Sequence, residues 1–170
     1  MPYQIIHTQK TDLPFIYSMF EAAIAYQKRN GFPVWPDYDK GVLDRDIEQK
    51  LQYKIVIDGQ IACIFSTCFS DEIVWRERDQ EDAIYLHRIV VNPKFKGQKQ
   101  FAKVLEWSKN HAKTKNLPFL RMDTWADNPS IIAYYQSFGF EVYGHFRNPD
   151  TEELPIQQRG NRVVLLEYVL

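Results

Sequence analysis

The chain has 170 residues, 45% hydrophobic and 15% aromatic, enough apolar material for one real core, which excludes a disordered or low-complexity protein. Its 21 basic residues against 22 acidic ones give a net charge of −1, which excludes a general nucleic-acid binder. No apolar run approaches the about 18 residues that cross a bilayer, and the first residues lack a charged-then-apolar leader pattern. One domain over residues 1–170, cytoplasmic and off the membrane, is therefore the expectation.

In chain order, residues 3–7 alternate as a short strand, and Thr11 or Asp12 is placed to cap a helix. Leu13, Ile16, Tyr17, Phe20, Ala23 and Ile24 then recur at helical spacing until Asn30-Gly31. Residues 32–39 form an aromatic, proline-rich loop containing Trp35, Asp37 and Tyr38, and residues 40–50 a second helix. Residues 51–57 and 60–69 read as strands around Asp58-Gly59, a strong hairpin signal. Cys63 and Cys68, five apart on the second strand, point to opposite faces and read as buried free thiols of a reducing compartment. With four scattered histidines and no Cys-x-x-Cys, the sequence displays no metal site.

Residues 71–82 are charged and read as a loop or a frayed extension. Its acidic side chains are either solvated or a bias toward a cationic acceptor. The stretch 84–92 is rich in β-branched residues and reads as a buried strand ended by Asn92-Pro93. Lys94, Lys96, Lys99 and Lys103 surround Gly97 before an amphipathic helix of about residues 100–115. Such a turn aims backbone N–H groups and a positive helix end at one spot, suited to a phosphate or pyrophosphate; a plain solvated lysine cluster is the alternative. A strand at 119–125, a helix from Asn128-Pro129 to about Phe138, and strands at 140–146 and 163–169 complete the chain. The last strand is apolar enough to lie inside a sheet or to pair across a dimer, so the chain reads as monomer or homodimer.

The order β-α-α-β-β-β-α-β-α-β-β implies an α/β (α+β) domain, a mixed sheet of about seven strands flanked by about four helices. That order, with three local motifs, resembles the GCN5-related N-acetyltransferase superfamily over nearly the whole chain. The motifs are Leu86-His-Arg-Ile-Val-Val-Asn-Pro93, the turn Lys96-Gly97-Gln98 with Ala102, and Asn128-x6-Tyr135-x3-Gly139-Phe140. The turn departs from the family pattern, which wants small residues where this chain has Lys99 and Phe101.

The resemblance implies transfer of an acetyl group from acetyl-CoA to the amine of a small-molecule or peptide acceptor, with no metal. Strand backbone at Ile89, Val90 and Val91 would hold the coenzyme arm and polarise the acetyl oxygen. The turn residues Lys96, Gly97, Gln98, Lys99, Gln100, Phe101 and Ala102 would hold the pyrophosphate. Tyr135 is the implied general acid for the leaving thiolate, and Asn128 either touches the coenzyme or caps its helix. For the base, His87 and Asp123 are the candidates. By strict alternation His87 shares a face with Tyr85 and Ile89. Trp35, Tyr38 and Tyr85 would line the acceptor site, with Asp37 beside them; the two loop aromatics could instead staple helices to the sheet. Transfer of a different acyl group, or acyl-CoA binding without catalysis, are the alternatives on the same fold.

Overall fold

The computed structural model describes residues 2–170. Seven strands form one mixed sheet in the order β1-β2-β3-β4-β5-β7-β6. They are β1 (Tyr3–His7), β2 (Gln52–Ile57), β3 (Gln60–Cys68), β4 (Ala83–Val91), β5 (Phe119–Trp125), β6 (Glu141–Arg147) and β7 (Arg162–Val169). Only β4 and β5 run parallel; the other neighbours are antiparallel. The helices are α1 (Leu13–Arg29), α2 (Lys40–Glu48), α3 (Glu72–Trp75), α4 (Gln100–Thr114) and α5 (Pro129–Gln136).

Strand alternation sends the sheet's two faces into separate cores. Phe65, Ile84, Leu86, Leu120, Met122 and Leu166 pack with Phe101, Val104 and Leu105 of α4. On the other face Ile64 and Val90 meet Ile16 and Phe20 of α1 and Leu43 and Ile47 of α2. Farther along that face, Trp75, Ala83, Tyr85 and Leu165 form a third cluster.

Two expectations change. Residues 71–82 are not simply a loop, because Val74 and Trp75 of the one-turn α3 are buried at 0% and 1% exposure, anchoring the segment under the sheet. Of its acids, Asp79 accepts from Ser70, from the Asp71 N–H and from Tyr85, while Asp82 pairs with Arg121 at 2.8 Å. The last strand, β7, lies between β5 and β6, the inner position. Both cysteines are free, Cys63 buried and Cys68 only half-buried.

Candidate active site

The site grows from an irregularity in β4. Ile64 pairs with Val90, yet Ser66 pairs with His87, so β4 spends one more residue than β3 between those points. The extra residue is Arg88, whose φ of 51° lies in the left-handed region, unusual for a non-glycine side chain. The bulge resets the alternation. Tyr85 lies in the third cluster and Val90, five residues on, packs on the same face against α1 and α2. Ile89 goes to the opposite face, against the α4 core, so His87 does not share its face with Ile89 as strict alternation predicts. Arg88 is held in this conformation by Asp46 of α2, which accepts from Nε at 3.0 Å and Nη2 at 2.7 Å.

The β4–β5 ladder stops early. Its pairs are Ala83–Phe119, Ile84–Leu120 and Tyr85–Arg121. Beyond them the strands part around a cleft of about 120 Å³, whose walls include Trp35, His87, Arg88, Ile89, Asp123, Trp125 and Tyr135. From His87 to Val91, β4 therefore presents a backbone edge toward β5 that no strand of the ladder covers.

Two titratable groups on this face are coupled. His87 sits between carboxylates, with Nε2 3.2 Å from Asp71 and Nδ1 3.9 Å from Asp123. Burial works against its charge, but the neighbouring Cys68 and Asp71 outweigh that and hold its pKa well above the ordinary histidine value. The direction favours the imidazolium over the neutral ring. Burial pushes Asp123 up to about 6, opposed by the His87 charge. Its Oδ1 is buried without a hydrogen-bond donor. Asp71, His87 and Asp123 bring potential metal-ligating atoms within 4.8 Å of one another. The two imidazole nitrogens face different carboxylates, and since Asp71 Oδ2 and Asp123 Oδ1 are both buried without a donor, charge rather than a hydrogen bond links the three groups.

Tyr135 reaches the cleft from α5. Its ring packs edge-on against Phe101, centroids 4.9 Å apart, and burial raises its pKa far above the free phenol, so the O–H keeps its proton. The neighbouring Tyr134 is 41% exposed and is not among the cleft residues, which separates the two tyrosines. Asn128 caps α5, its Oδ1 accepting from the Ile131 N–H at 3.2 Å. Gly139, after α5, has a φ of +95°, and a Cβ there would meet the Tyr168 ring at 3.0 Å, which explains glycine at this point of the motif.

The basic turn folds as a helix entrance despite its departures. Gly97 has a φ of +78° and Lys99 takes the left-handed conformation, φ 53° and ψ 41°, as the cap of α4. A lysine thus occupies a conformation that glycine adopts more easily. The side chains of Gln100 and Phe101 are buried, each 3% exposed, so these two residues have only backbone to offer a ligand. Ala102 donates its N–H to Lys99 O at 3.1 Å, while a helix start leaves its other leading N–H groups without helical acceptors. Lys94, Lys96 and Lys99 are exposed, and Lys96 lies 3.3 Å from the centre of the Tyr26 ring.

Of the expected acceptor residues, Trp35 lines the cleft. Tyr38 does not; it is 8% exposed in the α1–α2 core, bonded to Glu21 at 2.9 Å, and with Asp37 borders a separate outer groove. Tyr85 is fully buried and bonded to Asp79 and Arg121 at 2.8 and 2.9 Å, out of reach of any acceptor. Sequence reasoning missed Asp46, Arg88, Asp71, Trp125 and the amide residues Gln157, Gln158 and Asn161. The last three come from the β6–β7 connection, whose polar composition carries no periodic signal.

Residues 20–140 match the family model described as the acetyltransferase (GNAT) family. A segment of 74 residues is 32% identical to the uncharacterized N-acetyltransferase YesJ of Bacillus subtilis (strain 168), covering 44% of this chain and 41% of that protein. Among solved structures, a GNAT-family acetyltransferase from Listeria monocytogenes 4b F2365 superposes with a TM-score of 0.79 at 19% identity, over 99% of this chain and 95% of its own. The protein yncA of Salmonella typhimurium, described as a putative acetyltransferase with its cofactor acetyl-CoA, gives 0.65 at 16% identity, over 99% and 94%.

Proposed function

The chain belongs to the acetyltransferase (GNAT) family, and on that footing we propose that it moves an acetyl group from acetyl-CoA to the primary amine of a small-molecule or peptide acceptor by direct attack. The observation that carries this reading is the meeting of three things where β4 and β5 part: an uncovered strand edge, a buried carboxylate of raised pKa and a phenol that keeps its proton.

The residues fit the coenzyme. The β5-facing edge of His87 to Val91 suits an extended arm with amide groups, because it offers backbone donors and acceptors where a strand would pair. The first turn of α4 suits a pyrophosphate, with Lys94 and Lys99 within the same exposed turn. Acetyl-CoA, when bound, supplies an acetyl thioester, a carbonyl joined to a good leaving group.

The protein's part is proton management and positioning. Asp123 takes a proton from the acceptor ammonium, leaving a nucleophilic lone pair; as the carboxylate it is ionised above about pH 6. His87 already carries its proton and acts as the charge that steadies Asp123, rather than as the base. Backbone N–H groups near Ile89 to Val91 face the negative charge developing on the acetyl oxygen. Once the C–N bond has formed, Tyr135 gives its proton to the sulfur as the C–S bond breaks, and the nitrogen releases its second proton through solvent, which restores the phenol.

Release of free CoA from acetyl-CoA in the presence of an amine tests the reading. The rate should rise through about pH 6 as Asp123 ionises, and Asp123→Asn should remove that rise. Binding of acetyl-CoA with no turnover on any amine would leave only a binding module. The stability effect has the opposite sign. The folded protein holds the Asp123 proton more tightly than the unfolded chain, so this group favours folding as pH falls from about 6 toward about 4.

A further inference from the structure

The polar groups of the cleft are unbalanced in a way that describes its ligand. Two residues of its walls each carry a buried acceptor with no donor: Asp123 Oδ1, on a side chain 7% exposed, and Oε1 of Gln157, which is 5% exposed. A buried acceptor without a partner is a standing cost that an arriving N–H removes. Both cationic side chains on the cleft wall are already committed. Arg88 is held by Asp46 through two hydrogen bonds, and His87 lies against Asp71 at 3.2 Å. The cleft thus asks for donors and has no free cation to receive an anion. Its aromatic wall agrees. The rings of Trp35 and Trp125 lie 5.9 Å apart, and indole faces attract cations.

We propose that the acceptor is a small diamine-like cation without a carboxylate, one nitrogen reacting at Asp123 while its second N–H-bearing group donates to Gln157 beside Trp35 and Trp125. The inference rests on the acetyl-transfer reading and narrows its substrate class. The reacting nitrogen loses its proton to Asp123 and gains the acetyl carbon; the second nitrogen stays protonated and serves only to hold the molecule. An acceptor with a carboxylate in that second position would set an anion beside unpaired oxygens, the least favourable neighbour available.

Three amines of equal chain length separate these cases: 1,4-diaminobutane, butylamine and 4-aminobutyrate, each assayed by CoA release from acetyl-CoA. We expect kcat/KM for the diamine to exceed that for butylamine by about tenfold, the worth of one well-placed hydrogen bond. It should exceed that for 4-aminobutyrate by about a hundredfold or more, from the misplaced anion. Gln157→Leu, checked for an unchanged melting temperature, should shrink the diamine's advantage over butylamine to less than about threefold. Turnover of 4-aminobutyrate equal to or above the diamine overturns the inference while leaving acetyl transfer standing, as does an advantage that survives Gln157→Leu. No turnover of any of the three, with acetyl-CoA shown to bind, overturns the inference; the acetyl-transfer reading falls only if a wider panel of amines and amino-terminal peptides also gives no CoA release.

Discussion

The first three residues of β4 are paired to β5, Tyr85 to β3 as well, whereas from His87 to Val91 the strand is paired only to β3. The first end is sealed. Tyr85 and Arg121 are paired across the ladder and fully buried, and Arg121 binds Glu167 at 2.9 Å, Asp82 at 2.8 Å and the Tyr85 hydroxyl. The second end is open: it carries the left-handed Arg88, lines the cleft and holds the charge-coupled His87. Both ends contain buried charge and unpaired atoms, yet of different kinds: the first leaves donors, Arg121 Nη2, Arg78 Nε and Trp75 Nε1, and the second leaves acceptors, Asp123 Oδ1 and Gln157 Oε1. A buried ionic cluster is therefore informative through its unpaired atoms more than through its presence.

The contrast predicts that substitutions at the closed end act on stability and those at the open end on turnover. Arg121→Ala strands Asp82 and leaves Glu167 with Arg78 alone, so it should cost about 3–5 kcal/mol and lower Tm by roughly 10 °C. Thermal melting measures it, and a loss below about 1 kcal/mol would break the comparison. Tyr135→Phe should reduce kcat about a hundredfold, the scale of a lost general acid, while Tm stays within about 2 °C. A fall in Tm with kcat preserved would make Tyr135 a packing residue instead. Asp46→Asn sits between the ends, because it loosens the clamp on Arg88. It should cost about 1–3 kcal/mol, and Arg88→Gly should cost more, because relief of the positive φ does not offset the stranded Asp46 carboxylate. A smaller loss for Arg88→Gly would mean that backbone strain outweighs the clamp. The smallest effect is expected from Tyr85→Phe, about 1 kcal/mol from one lost hydroxyl, with KM for the amine unchanged. A raised KM would return Tyr85 to the acceptor site.

Much of the fold was legible because periodicity survives where packing is regular. The seven strands and the helices at 13–29 and 100–114 follow from apolar spacing, and Gly139 from a position where a side chain would meet Tyr168. Of the candidate site residues, Tyr135, Trp35, His87 and Asp123 do meet at the cleft. What failed depended on long-range geometry. A bulge at Arg88 has no composition signal, since arginine is an unpromising left-handed residue and its clamp, Asp46, lies 42 positions away. Strict alternation therefore assigned Ile89 to the wrong face. Tyr85 was misplaced for a related reason, because its partners Asp79 and Arg121 make it a sealed core group only once α3 folds under the sheet. Gln157 became visible only through its unpaired oxygen.

The short β4–β5 ladder has a mechanical side. Every other interface in the sheet is bridged by at least five residue pairs, but this seam has three. The sheet is thus two stiff leaves, β1 to β4 and β5 with β7 and β6, joined by a narrow hinge that the Arg121 cluster rivets at one end. Thermal bending concentrates where a structure is least braced. A bend at this seam would displace most the end farthest from the rivet, which is the end that carries the cleft, so the cleft's width depends on a joint that touches none of its walls.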